Sequence, residues 1–278
     1  MNYNNLKFII AGPGKTGTFW LAQCLREHRE VFVTTETNYL THYDQMPLEN
    51  WEKYYEHRAH KTCLGEYANW YFSWDGIPER LASENSELKI IVCVRDPVCR
   101  AISFYLHDRR WGTLGNHVKL SFAIKEDMFF HRYIESGLYS RHLKKYLKYF
   151  PPEQIFLFNT PRSNDVISKK LNELFGFLGV EKAEVPSANK SLNVTIMPFW
   201  PSLHRATVFG KRPLLVRFAR LLDPLNCFLG RRYRGNLVDD GDLTAVRRVF
   251  SAFDEKRSFQ DLLENVNFSG DASVEDWS

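Results

Sequence analysis

A strand-like run, a glycine turn and a helix follow one another near the start of the chain, and this succession constrains the fold most. The apolar run Leu6–Ala11 has the length of a buried strand, and Thr16–His28 has helical periodicity. Between them lie Gly12, Gly14 and the cation Lys15. Backbone N–H groups at such a turn converge on one spot, where the helix dipole adds positive potential. The sequence therefore predicts a seat for a phosphate group.

The turn departs from the loop that binds nucleoside triphosphates. That loop has a glycine, any four residues and then Gly-Lys-Ser/Thr. Counting back from Gly14 puts the first glycine at position 9, which is Ile9. A kinase would also need an acidic residue for magnesium, and Asp96, which ends an apolar run, is interpreted as a helix cap. A P-loop kinase for a small molecule is therefore the less favoured hypothesis.

Apolar runs of strand length alternate with helical stretches along the first two thirds of the chain. Leu88–Val94 is continuously apolar, which is typical of a parallel sheet that is buried on both faces. The alternation predicts an α/β fold in which a central parallel sheet carries helices on both faces. The other predicted strands are Val31–Glu36 and Gln154–Asn159, and the other predicted helices start at Asp96–Pro97 or cover 139–150, 167–179 and 244–264.

A single domain over 1–278 is the simplest partition of the chain. Residues 1–180 are predicted to form a nucleotide-binding α/β core, 187–240 an irregular basic segment, and 241–278 a C-terminal helix and tail. Within the basic segment, Lys211–Arg234 has apolar residues between its arginines. The favoured interpretation is a helix that packs on the sheet and shows a charged outer face. The alternative is a surface that rests on a membrane or closes over the nucleotide.

Composition and charge limit the kinds of ligand and the cellular compartment that the sequence predicts. The net charge of +4 suits an anionic ligand without requiring nucleic acid. The apolar stretch "LKFIIAG" is too short for a signal peptide or a membrane span. Together these patterns predict a cytoplasmic, metal-independent protein without a nucleic-acid partner. The five cysteines, which are scattered without C-x-x-C spacing and so predict a reduced protein, are Cys24, Cys63, Cys93, Cys99 and Cys227.

A second stretch, "IIVCVRDPVCRAISFYLH", points to a second anion. The strand delivers Arg95 to the carboxyl edge of the sheet, where ligands of open α/β sheets bind. A helix starts at once, and Ser103 falls about two turns inside it. A planar guanidinium and a hydroxyl suit a second phosphate. The alternative is an Arg95–Asp96 capping pair with no ligand.

The two stretches together resemble the nucleotide-binding motifs of sulfotransferases. "PGKTGTFWL" is similar to their 5′-phosphosulfate loop, and "VRDPVCRAISFY" is similar to their 3′-phosphate motif. "LGEYANWYF" falls where the family often has Gly-Glu-Lys-Ser/Thr-Pro-x-Tyr, and "SGLYSRHLKKYLKYFPPEQIFLF" resembles bacterial members. The resemblance covers about 6–158. It implies a P-loop NTPase-like sulfotransferase fold, 3′-phosphoadenosine 5′-phosphosulfate (PAPS) as donor, 3′,5′-bisphosphoadenosine as product, and no metal.

The resemblance also implies roles for individual residues. Lys15 would stabilise the leaving phosphate, and Arg95 and Ser103 would hold the 3′-phosphate. Glu36 resembles the general base of glycan-modifying and bacterial sulfotransferases, with His42 and His107 as the competing bases. The residues implied around the 5′-phosphate are Gly14, Lys15, Thr16, Gly17, Thr18 and Phe19.

Two departures from the family pattern concern the acceptor. The second active-site lysine of the Gly-Glu-Lys motif is Tyr67 here, and the residue before the candidate base is Thr35 instead of lysine. Both remove positive charge, which favours a small, neutral or cationic acceptor over a polyanionic glycan. The candidate acceptor-binding residues are Tyr39, His42, Tyr67, Trp70 and His107.

The function that the sequence predicts best is sulfuryl transfer from PAPS to a hydroxyl or amine of a small, natural-product-like acceptor. A carbohydrate sulfotransferase is the alternative within the family. A non-catalytic nucleotide-binding protein on the same fold is disfavoured, because Lys15 and Glu36 are both present.

Overall fold

A computed structural model describes most of the chain. The described residues are 3–41, 47–58, 60–115, 117–159, 164–186, 188, 200–209, 213–232, 237–275 and 277. They fall into two compact units. The sheet unit comprises Met1–Asp96, Ser136–Lys190 and Phe253–Ser278, and the helical unit comprises Pro97–Glu135 and Ser191–Ala252. That the two act as a single domain stays a prediction.

One parallel sheet organises the sheet unit. Among the described residues it has six strands, in the order β2-β3-β1-β4-β5-β6, and every neighbouring pair is parallel. The central strand β1 therefore has β3 on one side and β4 on the other, so the carboxyl ends of these three strands meet at one edge. The strands are β1 (Phe8–Gly12), β2 (Val31–Glu36), β3 (Cys63–Tyr67), β4 (Lys89–Val94), β5 (Ile155–Asn159) and β6 (Ser269–Asp271). The predicted parallel α/β fold is confirmed.

Helices make up most of the remaining described chain. Those of the sheet unit are α1–α3, α7, α8 and α12, and those of the helical unit are α4–α6 and α9–α11. In chain order they are α1 (Thr18–Glu27), α2 (Leu48–Lys53), α3 (Ile77–Glu84), α4 (Pro97–Arg110), α5 (Leu120–Ala123), α6 (Asp127–Tyr133), α7 (Tyr139–Tyr146), α8 (Asn164–Leu178), α9 (Pro201–Phe209), α10 (Pro213–Arg232), α11 (Asp240–Ala252) and α12 (Glu255–Asn265).

The core of the sheet unit consists of apolar residues on β1 and β4 and of aromatic side chains from the helices that pack on them. Every residue of β1 is buried, as is every residue of β4 after Lys89. Helices α7 and α12 cover the sheet with rings such as Tyr139 and Phe259, which pack together and against Trp277. Burial of each such side chain stabilises the fold by about 1.5–3 kcal/mol.

Buried charged side chains on α4 form hydrogen bonds that stabilise the helical unit. Arg100 is fully buried and donates to the backbone carbonyl of Tyr133 at 2.5 Å. Asp108 accepts two hydrogen bonds from Arg132 Nη1 at 3.0 Å and one from the Tyr133 hydroxyl at 2.8 Å. Removal of one member would leave a buried charge unpaired, so this network fixes how α4 and α6 pack.

The prediction of an irregular segment over 187–240 is wrong for the parts that the structure describes. Two helices, α9 and α10, occupy it and pack against each other. Each begins with a proline, a residue preorganised for the first helical position. The interspersed arginines and Pro224 within α10 obscure the apolar periodicity in the sequence. The structure has the helix expected within 211–234, and its packing on the sheet stays a prediction. The expected charged outer face is wrong, because apolar side chains are exposed there, namely Phe218, Leu221, Leu222 and Leu225.

The helical stretch predicted over 244–264 is two helices. α11 ends at Ala252 and α12 begins at Glu255. Between them Asp254 has a φ of 49°, a left-handed conformation that interrupts the helix. Among the described helices, none is long and apolar enough to cross a membrane.

Candidate nucleotide and acceptor site

The turn after β1 depends on glycine. Gly12 has a φ of +116°, and a Cβ at this position would lie 2.2 Å from the carbonyl oxygen of Asn69. Only glycine tolerates both the dihedral angle and the contact. Beyond it, the Thr16 hydroxyl donates to the carbonyl of Pro13 at 2.6 Å and closes the turn on itself. This turn, residues 12–17, is called the phosphate loop below.

The phosphate loop opens onto the N-terminus of α1. Lys15 and Gly17 have φ values of 73° and 96°, so the backbone reverses twice before Thr18. Gly17 caps the helix without a side-chain hydrogen bond. Because no side chain caps α1, a helix of 10 residues, its first backbone N–H groups can bind an anion. The loop therefore fits a phosphate on its backbone geometry as well as on its lysine.

Arg95 lies beside the phosphate loop. It follows β4, which pairs directly with β1, and its Nη1 donates to the carbonyl of Lys15 at 3.3 Å. Its own carbonyl accepts a hydrogen bond from the Tyr139 hydroxyl at 2.8 Å, which ties its backbone to α7. The Arg95 side chain is exposed. Two of the residues predicted to bind the nucleotide are thus brought together.

Two other predicted residues belong to α4 in the helical unit. Ser103 is half-buried on this helix. His107 has its Nδ1 3.6 Å from a carboxylate oxygen of Asp108, and its ring meets Phe104 edge-on. The 3′-phosphate role of Ser103 and the base role of His107 both stay predictions.

Glu36 and Tyr67 sit side by side at the carboxyl ends of β2 and β3. The two residues are register partners. The Tyr67 side chain is buried, and its hydroxyl lies 3.4 Å from Thr18 Oγ1 at the start of α1. Burial, together with the nearby negative charge of Glu36, raises the pKa of Tyr67 above its ordinary value, so the phenol stays protonated. Glu36 is exposed and accepts a hydrogen bond from the Asn38 side chain at 2.8 Å.

The phosphate loop, the candidate base and the tyrosine that stands at the family's lysine position thus share one edge of the sheet. Thr18 belongs to the first turn of α1, Tyr67 reaches it, and Glu36 lies next to Tyr67. Chemically, this edge combines an anion seat, a neutral hydrogen-bond donor and an accessible carboxylate.

Sequence reasoning missed a buried carboxylate behind this edge. Glu66 is fully buried on β3, and its Oε1 accepts hydrogen bonds from the hydroxyls of Thr37 and Tyr71. The Tyr71 hydroxyl also accepts the backbone N–H of Leu40 at 2.8 Å. Burial raises the pKa of Glu66. The network fixes the turn that follows Glu36, and its only signal in the sequence is an acid within the strand "CLGEY".

The remaining candidate acceptor-binding residues lie in different environments. Tyr39 is 3% exposed and stacks among Tyr3 and Trp51 in the core, so its placement favours packing. The backbone N–H of Trp70 donates to the Asn38 side chain at 3.0 Å, and its ring is half-buried. His42 lies outside the described residues. Among the residues that the structure describes, no group of three or more His, Cys, Asp or Glu is arranged to hold a metal.

Comparison with known proteins identifies the class. Residues 6–194 match the model of the sulfotransferase domain family, and the chain belongs to this family. Sulfotransferases of this family use PAPS as donor. The predicted family is confirmed.

Two curated relatives are heparan sulfate enzymes. The chain is 30% identical to heparan sulfate glucosamine 3-O-sulfotransferase 5 of Mus musculus over 182 residues, which are 60% of this chain and 51% of that protein. It is 25% identical to the bifunctional heparan sulfate N-deacetylase/N-sulfotransferase 3 of Mus musculus over 198 residues, 63% of this chain and 22% of that protein. The chain therefore spans about half, or less, of the length of these relatives.

Solved structures share the fold. A sulfotransferase from Alicyclobacillus acidocaldarius superposes with a TM-score of 0.59 at 20% identity, covering 82% of this chain and 99% of that one. Mouse sulfotransferase SULT7A1, complexed with PAP, superposes with a TM-score of 0.51 at 14% identity, covering 95% of this chain and 90% of that one. These likenesses confirm the predicted P-loop-like sulfotransferase fold.

Proposed function

We propose that this protein transfers a sulfuryl group from PAPS to a hydroxyl or amine of a small acceptor. The observation that carries the proposal is the contact between the two predicted phosphate-binding stretches, in which Arg95 donates to the carbonyl of Lys15. Each stretch alone has an ordinary structural explanation. A cation from β4 held against the phosphate loop fits a nucleotide with phosphates at both its 5′ and 3′ positions.

Different residues bind the two phosphates of the donor. Backbone N–H groups from Gly14 to Phe19, including that of Thr16, and the hydroxyl of Thr18 bind the 5′-phosphate, and Lys15 adds its charge. The Thr16 hydroxyl supports the loop through its hydrogen bond to the carbonyl of Pro13. Arg95 binds the 3′-phosphate, together with Ser103 on the evidence of the motif "RAISFY". When bound, PAPS supplies the activated sulfuryl group, and the protein supplies positioning and charge stabilisation.

Lys15 and Glu36 carry the chemical step. Lys15 stabilises the negative charge that develops on the leaving phosphate oxygen, an effect that is larger in the transition state than in the ground state. Glu36, whose carboxylate is exposed beside Tyr67, takes the proton of the acceptor hydroxyl as it attacks. His42 and His107 are the competing bases.

Tyr67 replaces the cation of related enzymes by a neutral donor. Its hydroxyl reaches Thr18 at 3.4 Å and is kept protonated by burial, which raises its pKa. It donates a hydrogen bond near the 5′-phosphate without adding charge. An acceptor that already carries sulfate groups gains less attraction here than it would from a lysine, which supports a small, weakly charged acceptor.

A carbohydrate acceptor is the second candidate. It is favoured by the curated relatives, whose names assign them heparan sulfate as substrate. The experiment that separates the two uses PAPS labelled with ³⁵S and a panel of simple phenols, alcohols and amines beside desulfated and sulfated heparan chains. Label transfer to small acceptors at a rate that falls by about a hundredfold or more in Lys15→Ala supports the proposal. Transfer to heparan chains alone replaces it with the carbohydrate candidate, and no transfer to any acceptor contradicts both.

A further inference from the structure

Helix α10 shows an apolar ridge to solvent. The side chains of Phe218, Leu221, Leu222 and Leu225 are 62%, 78%, 37% and 56% exposed. Their spacing of three, four and seven residues puts them on one face of the helix. Ala219, on the opposite side, is 2% exposed. Single exposed apolar side chains are common on protein surfaces, but a contiguous ridge of four marks a surface that meets something apolar.

Arginines add positive charge to the helix that carries this ridge: Arg217 lies beside the ridge, and Arg220 lies on the side that faces α9. Arg217 and Arg220 are exposed on the same helix, and the Nε of Arg220 donates to the carbonyl of Thr207 on α9 at 3.4 Å. The stretch 201–234 contains eight lysines and arginines and one acidic residue, Asp223. Because the whole chain has a net charge of only +4, the rest of it is net negative, and the positive charge is concentrated around α10.

The acid of this stretch is directed away from the ridge. Both carboxylate oxygens of Asp223 lie within 3.0 Å of His204 Nδ1 on α9, and the side chain is largely buried. His204 is itself buried and packs against Trp111 of α4. The inner face of α10 is therefore tied into the helical unit, and the outer face combines only apolar and cationic side chains over 217–225.

An apolar ridge with arginines suits an anionic lipid bilayer. A polyanionic glycan would be met by the arginines but would leave four apolar side chains in water. A basic amphipathic helix that lies in the plane of the membrane buries the apolar side chains among acyl chains and sets its cations against headgroups. The long stem of Arg217, which lies beside the ridge, allows both contacts at once.

We propose that α10 binds peripherally to anionic membranes, with Phe218, Leu221, Leu222 and Leu225 inserted at the interface. The proposal concerns docking and is independent of the transferase reaction. It also differs from a transmembrane anchor, because the helix lies on the surface.

Vesicle sedimentation with the full chain tests the proposal. The probes are vesicles of phosphatidylcholine alone and an equimolar mixture of phosphatidylcholine and phosphatidylglycerol. Binding is expected to the mixture only and to weaken with salt. Leu221→Gln combined with Leu225→Gln is expected to lower the partition coefficient about tenfold or more, and Arg217→Gln combined with Arg220→Gln about tenfold.

The control is Phe122→Gln. Phe122 is 62% exposed, as Phe218 is, but lies on α5 away from the ridge. This variant is expected to bind vesicles as the unchanged chain does. Thermal melting checks each fold, and the single variant Phe218→Gln replaces the double leucine variant if the latter melts early.

Three outcomes overturn the proposal. One is the absence of binding to the anionic vesicles. Another is vesicle binding that survives loss of the ridge leucines and needs only the arginines, as binding to a soluble polyanion would. The third is concentration-dependent self-association that the leucine variants abolish while vesicle binding is unchanged, which assigns the ridge to a second copy of this chain.

Discussion

The hydroxyl of Tyr67 lies 3.4 Å from the hydroxyl of Thr18, at the point where the phosphate loop becomes α1. Tyr67 is also the register partner of Glu36, the candidate base. One buried phenol thus connects the anion seat with the accessible carboxylate. In the proposed reaction it gives a neutral hydrogen bond at a place where related enzymes have a cation.

Tyr67→Phe removes this donor and keeps the ring. We expect turnover to fall by up to about a hundredfold, because a preoriented donor near developing charge is lost. Tyr67→Lys is expected to retain more turnover than the phenylalanine variant and to shift preference towards sulfated acceptors in a salt-dependent way. The measurement is kcat with each acceptor, with Tyr149→Phe as the control, since Tyr149 is 41% exposed. Unchanged kcat in Tyr67→Phe would remove Tyr67 from the proposed site.

Glu36→Gln keeps the shape of the side chain and removes its basicity. A positioned base contributes about a hundredfold to ten-thousandfold, and we expect a loss of turnover in that range with nearly unchanged bisphosphate binding. Glu84→Gln, an exposed glutamate at the end of α3, is the control. Near-normal turnover on a hydroxyl acceptor would transfer the base role to a histidine, with His107→Gln as the next variant to measure.

Lys15→Ala separates binding from catalysis. Charge on the leaving oxygen develops during transfer, so we expect kcat to fall by about a hundredfold to a thousandfold and the Kd for 3′,5′-bisphosphoadenosine to rise by much less. Isothermal calorimetry and single-turnover kinetics give the two quantities. Lys7→Ala, an exposed lysine before β1, is the control. A loss of affinity as large as the loss of kcat would mean that Lys15 only binds the nucleotide.

Glu255 makes the stability of the sheet unit depend on pH. The carboxylate is buried at the start of α12 and accepts hydrogen bonds from the backbone N–H and hydroxyl of Ser140. Burial raises its pKa to about 7, above the ordinary glutamate value of 4.5. Because the folded pKa is the higher one, this group stabilises the fold fully below pH 4.5 and loses that contribution as pH rises towards 7.

Glu255→Gln removes the titration. Relative to this variant, the free energy of unfolding of the unchanged chain is expected to decrease by roughly 2–3 kcal/mol between about pH 4.5 and 7. Denaturant unfolding across that range measures the difference. A constant difference, or one of the opposite sign, would show that the buried carboxyl is not held protonated in the folded state.

The sequence predicts the strands that contain at least three consecutive apolar residues. β1, β2, β4 and β5 contain such runs, and the structure has these strands within two residues of the predicted ends. β3 was missed because Gly65 and Glu66 interrupt its apolar character. Glu66 is tolerated there because Thr37 and Tyr71 donate to it. β6, only Ser269–Asp271, has no apolar pattern and forms by pairing with β5.

From the sequence, Arg95, Glu36 and the phosphate loop are predicted to share one crevice, because residues at the carboxyl ends of parallel strands meet at one edge of the sheet. The particular contact between Arg95 and the carbonyl of Lys15, 80 positions away, depends on the direct pairing of β1 with β4, which chain order does not reveal. The pairing of Glu36 with Tyr67 likewise requires β3, the strand that was missed. Tyr39 looked equally suitable for an acceptor pocket, but its ring stacks among Tyr3 and Trp51 in the core.

Calorimetric binding of 3′,5′-bisphosphoadenosine, compared with ADP, tests the central claim most directly. The phosphate loop and Arg95 are proposed to hold two separate phosphates, so the bisphosphate is expected to bind at least about tenfold more tightly than ADP. Arg95→Ala is expected to abolish that preference while leaving ADP binding nearly unchanged. Equal affinity for the two nucleotides in the unchanged chain, or tighter binding of ADP, would contradict the account.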